Sequence, residues 1–325
     1  MNITETDISI KGPSDLVCTV PLLLGFHPEH SLVVVGLSGS DLKCTFRIDL
    51  PGSADHIEHL LDLTGQLCRN GCDRCVLIAY GEREVTEAAI ARTAQRFDAA
   101  GIESVDRLRV TEGRWFGLDC ERECCPPEGR PVPQTSPASC EVAVSGGYAL
   151  PDRSAVAAQL DPAEPDRRAA VAAAVDEALL ADTELDWAEH RGRDLRAVER
   201  WMGSSELPGA EDIAVLGLAL GDSHVRDHAI GRIGSGEYER NRVDLWIWLV
   251  RHLDADLVAP AATLAGFAAY RFGNGVLALE AFELALRSRP GYRLARMLMT
   301  ALQAGIPPGT LAGIGGGKAG ELLGG

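Results

Sequence analysis

A chain of 325 residues is longer than one ordinary hydrophobic core supports and about right for two domains of roughly 100 to 200 residues each. A formal charge of -16 leaves no basic footprint for a phosphate backbone, which excludes nucleic-acid binding as the main task. With 46% hydrophobic and 24% charged residues and no uninterrupted apolar run long enough to cross a bilayer, the composition also argues against a membrane protein. The start, MNITETDISIKGPSD, lacks the basic residues and apolar stretch of a secretory leader, so a cytoplasmic protein with reduced thiols is expected.

The first half alternates strands and helices. Ser14 is placed to cap a helix through DLVCTVPLLLG, with Asp15 near its positive end and Pro21 forcing a kink or restart. SLVVVGL reads as a buried strand. KCTFRIDL alternates, setting Cys44, Phe46, Ile48 and Leu50 on one face and Lys43, Thr45, Arg47 and Asp49 on the other, and GSD between the two strands predicts a hairpin. Residues 54 to 70 carry Ile57, Leu60, Leu61, Leu63 and Leu67 at helical spacing, and CVLIAY then reads as a strand. A helix over about 84 to 100, closed by Gly101, leads to a strand at VDRLRV. Strands joined by helices of this length imply parallel pairing. Residues 1–150 are therefore predicted to form an α/β domain, a mixed and mostly parallel sheet with flanking helices.

Beyond Pro151 the strand signal stops. DPAEP at 161–165 breaks the chain, and helical patterns follow at about 166–182, 188–202, 211–219, 223–232 and 238–252, then onward to 304. An all-α domain is predicted over 151–310, ending in a flexible Gly-rich tail at 311–325. Within it, LAGFAAYRFGNGVLALEAFELALRSRPG sets Gly266, Ala278, Phe282, Ala285 and Pro290 at the spacing of a tetratricopeptide helix pair, which is equally the pattern of two packed helices of an irregular bundle.

Several motifs bear on chemistry. CERECCPPEG brings Cys120, Cys124 and Cys125 together in sequence; these thiols offer a zinc site if a fourth ligand such as Cys140 joins them, or a turn stiffened by Pro126 and Pro127 that Gly129 permits. CRNGCDRC has the C-x3-C-x2-C spacing of radical iron-sulfur enzymes, but there Cys68 ends a helix and Cys75 opens a buried strand. HVRDH sets His224 and His228 on one helical face, yet Val225 stands where a metalloprotease has its glutamate, and Asp222 reads as a helix cap. No phosphate-binding loop and no G-x-S-x-G elbow occurs. Polar residues also fall at predicted strand ends, where open α/β sheets place ligands. In GFHPE, His27 is a candidate acid or base with Glu29 orienting it, or a turn residue beside Pro28. Arg47, Asp49, Arg114 and Asp119 are candidate ligand-binding groups, because the guanidinium fork suits an anionic substrate.

Taken in order, PSDLVCTVPLLLGFHPEHSLVVVGL, RIDLP, EGRWFGLDCERECCPPEG, HVRD and LAGFAAYRFGNGVLALEAFELALRSRPGYRLARMLMTALQAGIPP resemble the bacterial domain-of-unknown-function family 4192 over roughly residues 10 to 308. The resemblance implies the same architecture, places Cys120, Cys124 and Cys125 within the family pattern, and carries no activity. Three functional expectations stand. The leading one is a small-ligand-binding or regulatory module whose helical half contacts an unknown protein partner. The others are a hydrolase- or transferase-type enzyme with His27 as acid or base and Arg47 and Arg114 holding an anionic substrate, and a thiol metal site, with zinc, at Cys120, Cys124 and Cys125.

Overall fold

The computed structural model describes residues 10–39, 41–50, 56–120, 124–181, 187–234 and 243–311; the predicted Gly-rich tail from 312 and the first residues of the helix expected at 238–252 lie outside them. The chain divides into two compact units, Met1–Ala155 with Ala304–Ile306, and Val156–Gln303 with Pro307–Gly325.

The first unit opens with α1 (Pro13–Leu24). Ser14 does not cap it. Gly12 takes the cap position and Pro13 the first helical one, where a missing N–H leaves no hydrogen bond unmade. The helix continues through Pro21 and stops at Gly25, whose left-handed backbone (φ 83) turns the chain while its N–H bonds the Pro21 carbonyl. There follow β1 (Ser31–Ser38), β2 (Asp41–Asp49), α2 (His56–Arg69), β3 (Arg74–Tyr80), α3 (Arg83–Ala99), β4 (Glu103–Thr111), β5 (Arg114–Gly117), the two-residue β6 (Arg130–Pro131) and α4 (Pro137–Val144), and the short α5 (Arg153–Ala158) begins in this unit and ends in the second.

The six strands form one sheet in the order β2-β1-β3-β4-β5-β6. It is mostly antiparallel, which corrects the expectation of a mostly parallel sheet: only β3 and β4 pair in parallel. The reason lies in strand order. The helical connections α2 and α3 do join strands that run the same way, β2 to β3 and β3 to β4, as crossovers must. However, β1 is inserted between β2 and β3 and runs against both, so it converts one parallel adjacency into two antiparallel ones. Beyond β4 the chain reverses through Glu112 (φ 48) and Gly113 (φ 69), two left-handed residues that make a tight hairpin and add β5 antiparallel.

One face of the sheet is sealed by α2 and α3. Leu32, Val34, Leu77 and Ala79 meet Leu63, Leu67, Ile90, Ala94 and Phe97 in a continuous core, with Cys44, Phe46, Ile48 and Leu50 packed at its margin. Each fully buried Leu or Phe there contributes about 1.5–3 kcal/mol of apolar transfer, so this face carries much of the unit's stability. On the other face α1 packs against α4 and β5.

The second unit consists of α6 (Pro165–Ala181), α7 (Trp187–Met202), α8 (Ala210–Ala219), α9 (Ser223–Gly234), α10 (Val243–His252), α11 (Ala255–Arg271), α12 (Gly275–Ser288) and α13 (Arg293–Gln303), with a 3-10 turn at Pro308–Leu311. Every residue of α11 from Val258 to Tyr270 is buried, the mark of a helix enclosed on all sides. It packs against α12, α10, α9, α8 and α13. Gly266 permits its closest approach, since a Cβ there would fall 2.5 Å from Cε1 of Phe282 on α12. Among the described residues no helix is long and apolar enough to cross a membrane.

Candidate metal centre

The connection between β5 and β6 holds the three thiols of CERECCPPEG, and its two ends are fixed by arginines. On the outgoing side the β5 path extends through Leu118, whose N–H bonds the Arg107 carbonyl at 2.9 Å. The next residue, Asp119, is gripped by the Arg107 guanidinium through two bonds of 2.6 Å, the fork geometry of an arginine-carboxylate pair. On the returning side Arg114 donates from Nε to the Glu128 carbonyl at 2.8 Å and from Nη2 to the Gly129 carbonyl at 2.7 Å. Gly129 adopts φ 70 and bonds the Pro126 carbonyl at 2.9 Å, and a Cβ on it would lie 2.6 Å from the Phe116 ring. Thus only glycine closes this turn against β5.

Held in this way, Cys120, Cys124 and Cys125 converge, with their sulfurs all within 4.8 Å of one another and Cys120 Sγ 3.4 Å from Cys124 Sγ. Tetrahedral zinc with bonds of ~2.3 Å requires sulfurs ~3.8 Å apart, so the three already stand near ligand spacing. Gly117 supplies the room: a Cβ there would approach Cys125 Sγ to 2.9 Å. Partial burial pushes the Cys125 thiol up to about 12, and hydrogen bonds with Cys120 and Cys124 push it the same way. A cation that binds Cys125 has to displace the proton this environment holds on its sulfur. Among the described residues no other three His, Cys, Asp or Glu groups converge so closely, and Cys140 on α4 is not part of the cluster.

A family model described as "Domain of unknown function (DUF4192)" matches residues 13–309. The chain belongs to this family. Neither the curated proteins nor the solved structures contain a match to it.

The other polar groups of this DUF4192 chain are dispersed. Arg47 donates from Nη2 to Asp49 Oδ1 at 2.6 Å and reaches the Glu29 carbonyl at 3.4 Å, and its guanidinium lies 5.5 Å from the Phe26 ring centre. Asp49 is also 3.7 Å from Arg153 Nη1. The structure therefore brings Arg47 and Asp49 together beside the Glu29 backbone carbonyl, and it anchors the backbone of exposed His27 to the Leu150 carbonyl at 3.0 Å. Arg114, by contrast, is on β5, four strand spacings from β2 in the sheet order, or ~19 Å at ~4.8 Å each. Asp119 lies past the far end of β5 and is paired to Arg107. One small anion cannot touch Arg47 and Arg114 together.

The histidines of HVRDH do not converge on an ion either. His228 Nε2 is 2.5 Å from Glu199 Oε1, and His224 Nδ1 is 3.3 Å from Asp222 Oδ1. Asp222 Oδ1 also accepts the His224 backbone N–H at 2.9 Å and so caps α9. In the CRNGCDRC segment, Cys68 is exposed at the end of α2, whereas Cys72 and Cys75 are buried. Sequence reasoning missed Arg107 and Gly117. The one visible signal for Gly117 is a glycine closing the strand-like RWFG immediately before the thiols, where a larger residue would fill the sulfur's place.

Proposed function

We propose that this DUF4192 protein is a zinc-thiolate protein, in which Cys120, Cys124 and Cys125 hold one ion that pins the β5–β6 connection to the sheet. The observation that carries this is the convergence of three sulfurs within 4.8 Å on a loop braced at both ends. Thiolates favour zinc over hard cations such as magnesium, and a reducing cytoplasm keeps them available. In this reading the ion is a fold device within a regulatory module, and CCPPEG is both turn and ligand set. Elemental analysis of protein purified without chelator, with Cys124→Ser beside it, tests the proposal. One zinc per chain in the parent and a loss of most of it in the folded variant are expected; equal zinc content in the two would remove Cys124 from the site.

A protein partner for the helical unit has support of its own. A cavity of about 240 Å³ there is lined by Val171, Val175, Leu179, Leu218 and Leu257, with Asp176 and Asp256 beside them. Leu179 is 54% exposed, an apolar side chain left in water. We propose that this groove takes an amphipathic segment with aliphatic anchors and basic flanks, and that α11 and α12 serve as a tetratricopeptide-like pair behind it. Binding of a Leu- and Arg-containing helical peptide that Leu179→Asp leaves unchanged would remove the groove from the account.

A further inference from the structure

Two thiols outside the metal cluster meet in the first unit. Cys44, half-buried on the edge strand β2, places its sulfur 3.6 Å from that of Cys72, which follows α2. Gly36, on the neighbouring strand β1, makes the space: a Cβ there would lie 2.7 Å from both sulfurs. We propose that Cys44 and Cys72 are a disulfide-forming pair, a site of reversible oxidation by hydroperoxides that ties β2 to the end of α2.

The pair is asymmetric. Its mutual hydrogen bond lowers the Cys72 thiol below the ordinary thiol range and, with burial, raises Cys44 well above it. The steps are written with Cys72 attacking and Cys44 resolving; the cross-link that the 3.6 Å approach allows is the same in either order. Cys75 is raised to about 11 by burial, against the lowering effect of its bond with Ser104 Oγ at 3.7 Å, and is a poorer competitor. In the first step the Cys72 thiolate attacks one oxygen of hydrogen peroxide; an S–O bond forms, the O–O bond breaks, and hydroxide leaves to take a proton as water. In the second, Cys44 sulfur attacks the Cys72 sulfenic sulfur; the S–S bond forms, the S–O bond breaks, and the Cys44 proton departs with the hydroxide as a second water. Two thiols lose two electrons and one peroxide is reduced to two waters. The sulfurs need to close from 3.6 Å to ~2.0 Å, a local shift at a sheet edge. Although Cys72 is only 6% exposed, peroxide is little larger than water.

The test is peptide mapping of the full-length, zinc-supplemented protein after brief exposure to hydrogen peroxide and alkylation of the remaining thiols. The expected product is a Cys44–Cys72 cross-linked peptide two hydrogens lighter than its parts and reversed by dithiothreitol. Cys72→Ser should slow oxidation at Cys44 about tenfold, as loss of the attacking thiolate requires. Independent alkylation of Cys44 and Cys72 after exposed Cys68 has been oxidised, or sulfinic acid at Cys72 without a cross-link, would overturn the proposal. Because the wild-type map reports each cysteine separately, an unstable variant leaves the test decisive, and a failure of the metal site is read on different peptides.

Discussion

Gly117 has no side chain, and that absence lets Cys125 rest against β5. A methyl group added there would sit 2.9 Å from the sulfur, closer than packed atoms tolerate. Gly117→Ala should keep the fold and weaken zinc about tenfold or more, read by competition with a chromophoric chelator. The pH dependence follows from the thiols. With Cys125 raised to about 12, binding displaces protons, so affinity falls as pH falls, by up to ~1,000-fold per unit if all three thiols deprotonate on binding. A titration series at several pH values measures that slope. The three cysteines are legible as a cluster in the sequence, whereas their convergence is not, since side chains of adjacent residues generally point apart. That holds in a strand, where side chains alternate; Cys124 and Cys125 lie in a turn, where the alternation is lost. Arg107 and Asp119 are twelve residues apart, and only strand pairing makes them partners.

At the scale of elements, the local signals were readable and their adjacency was not. The β1–β2 hairpin, β3, α3 and β4 follow from period and turn chemistry, because each is settled within a few residues. Which strand lies beside which depends on contacts far apart in sequence, so the insertion of β1 between β2 and β3 left no local trace. The same distinction applies to the partners of Arg114, which lie fourteen and fifteen residues away. Its two bonds to Glu128 and Gly129 carbonyls make it the brace of the thiol loop, and Arg114→Ala should cost roughly 1–3 kcal/mol in denaturant unfolding. In the helical unit, Gly266→Leu should cost about 1–3 kcal/mol by overpacking α11 against Phe282. The α9 cap gives an acid-limb prediction. Burial opposes ionisation of Asp222, but bonds from Arg191 at 2.7 Å and from His224 outweigh it and hold the carboxyl below its ordinary range. A depressed acid adds stability above its unfolded value near ~3.9 and loses it as pH falls through the folded one. Asp222→Ala should therefore lose about 0.5–2 kcal/mol at neutral pH and show a flatter acid limb, as chemical denaturation at stepped pH would measure.

For the whole molecule, an ion that binds the folded state and not the unfolded one raises stability by mass action. At a hundredfold excess over Kd the gain is about 2.7 kcal/mol, and for a unit of this size the melting temperature rises by roughly 5–10 °C. Family membership over residues 13–309 assigns the architecture to a group of proteins and leaves the chemistry to the side chains. The most direct check is the metal content of the intact protein combined with X-ray absorption at the zinc edge. One zinc per chain with a shell of three sulfurs at ~2.3 Å is predicted. A folded, metal-free chain whose Cys120, Cys124 and Cys125 all react freely with an alkylating agent, and which takes up no zinc when it is supplied, would contradict it.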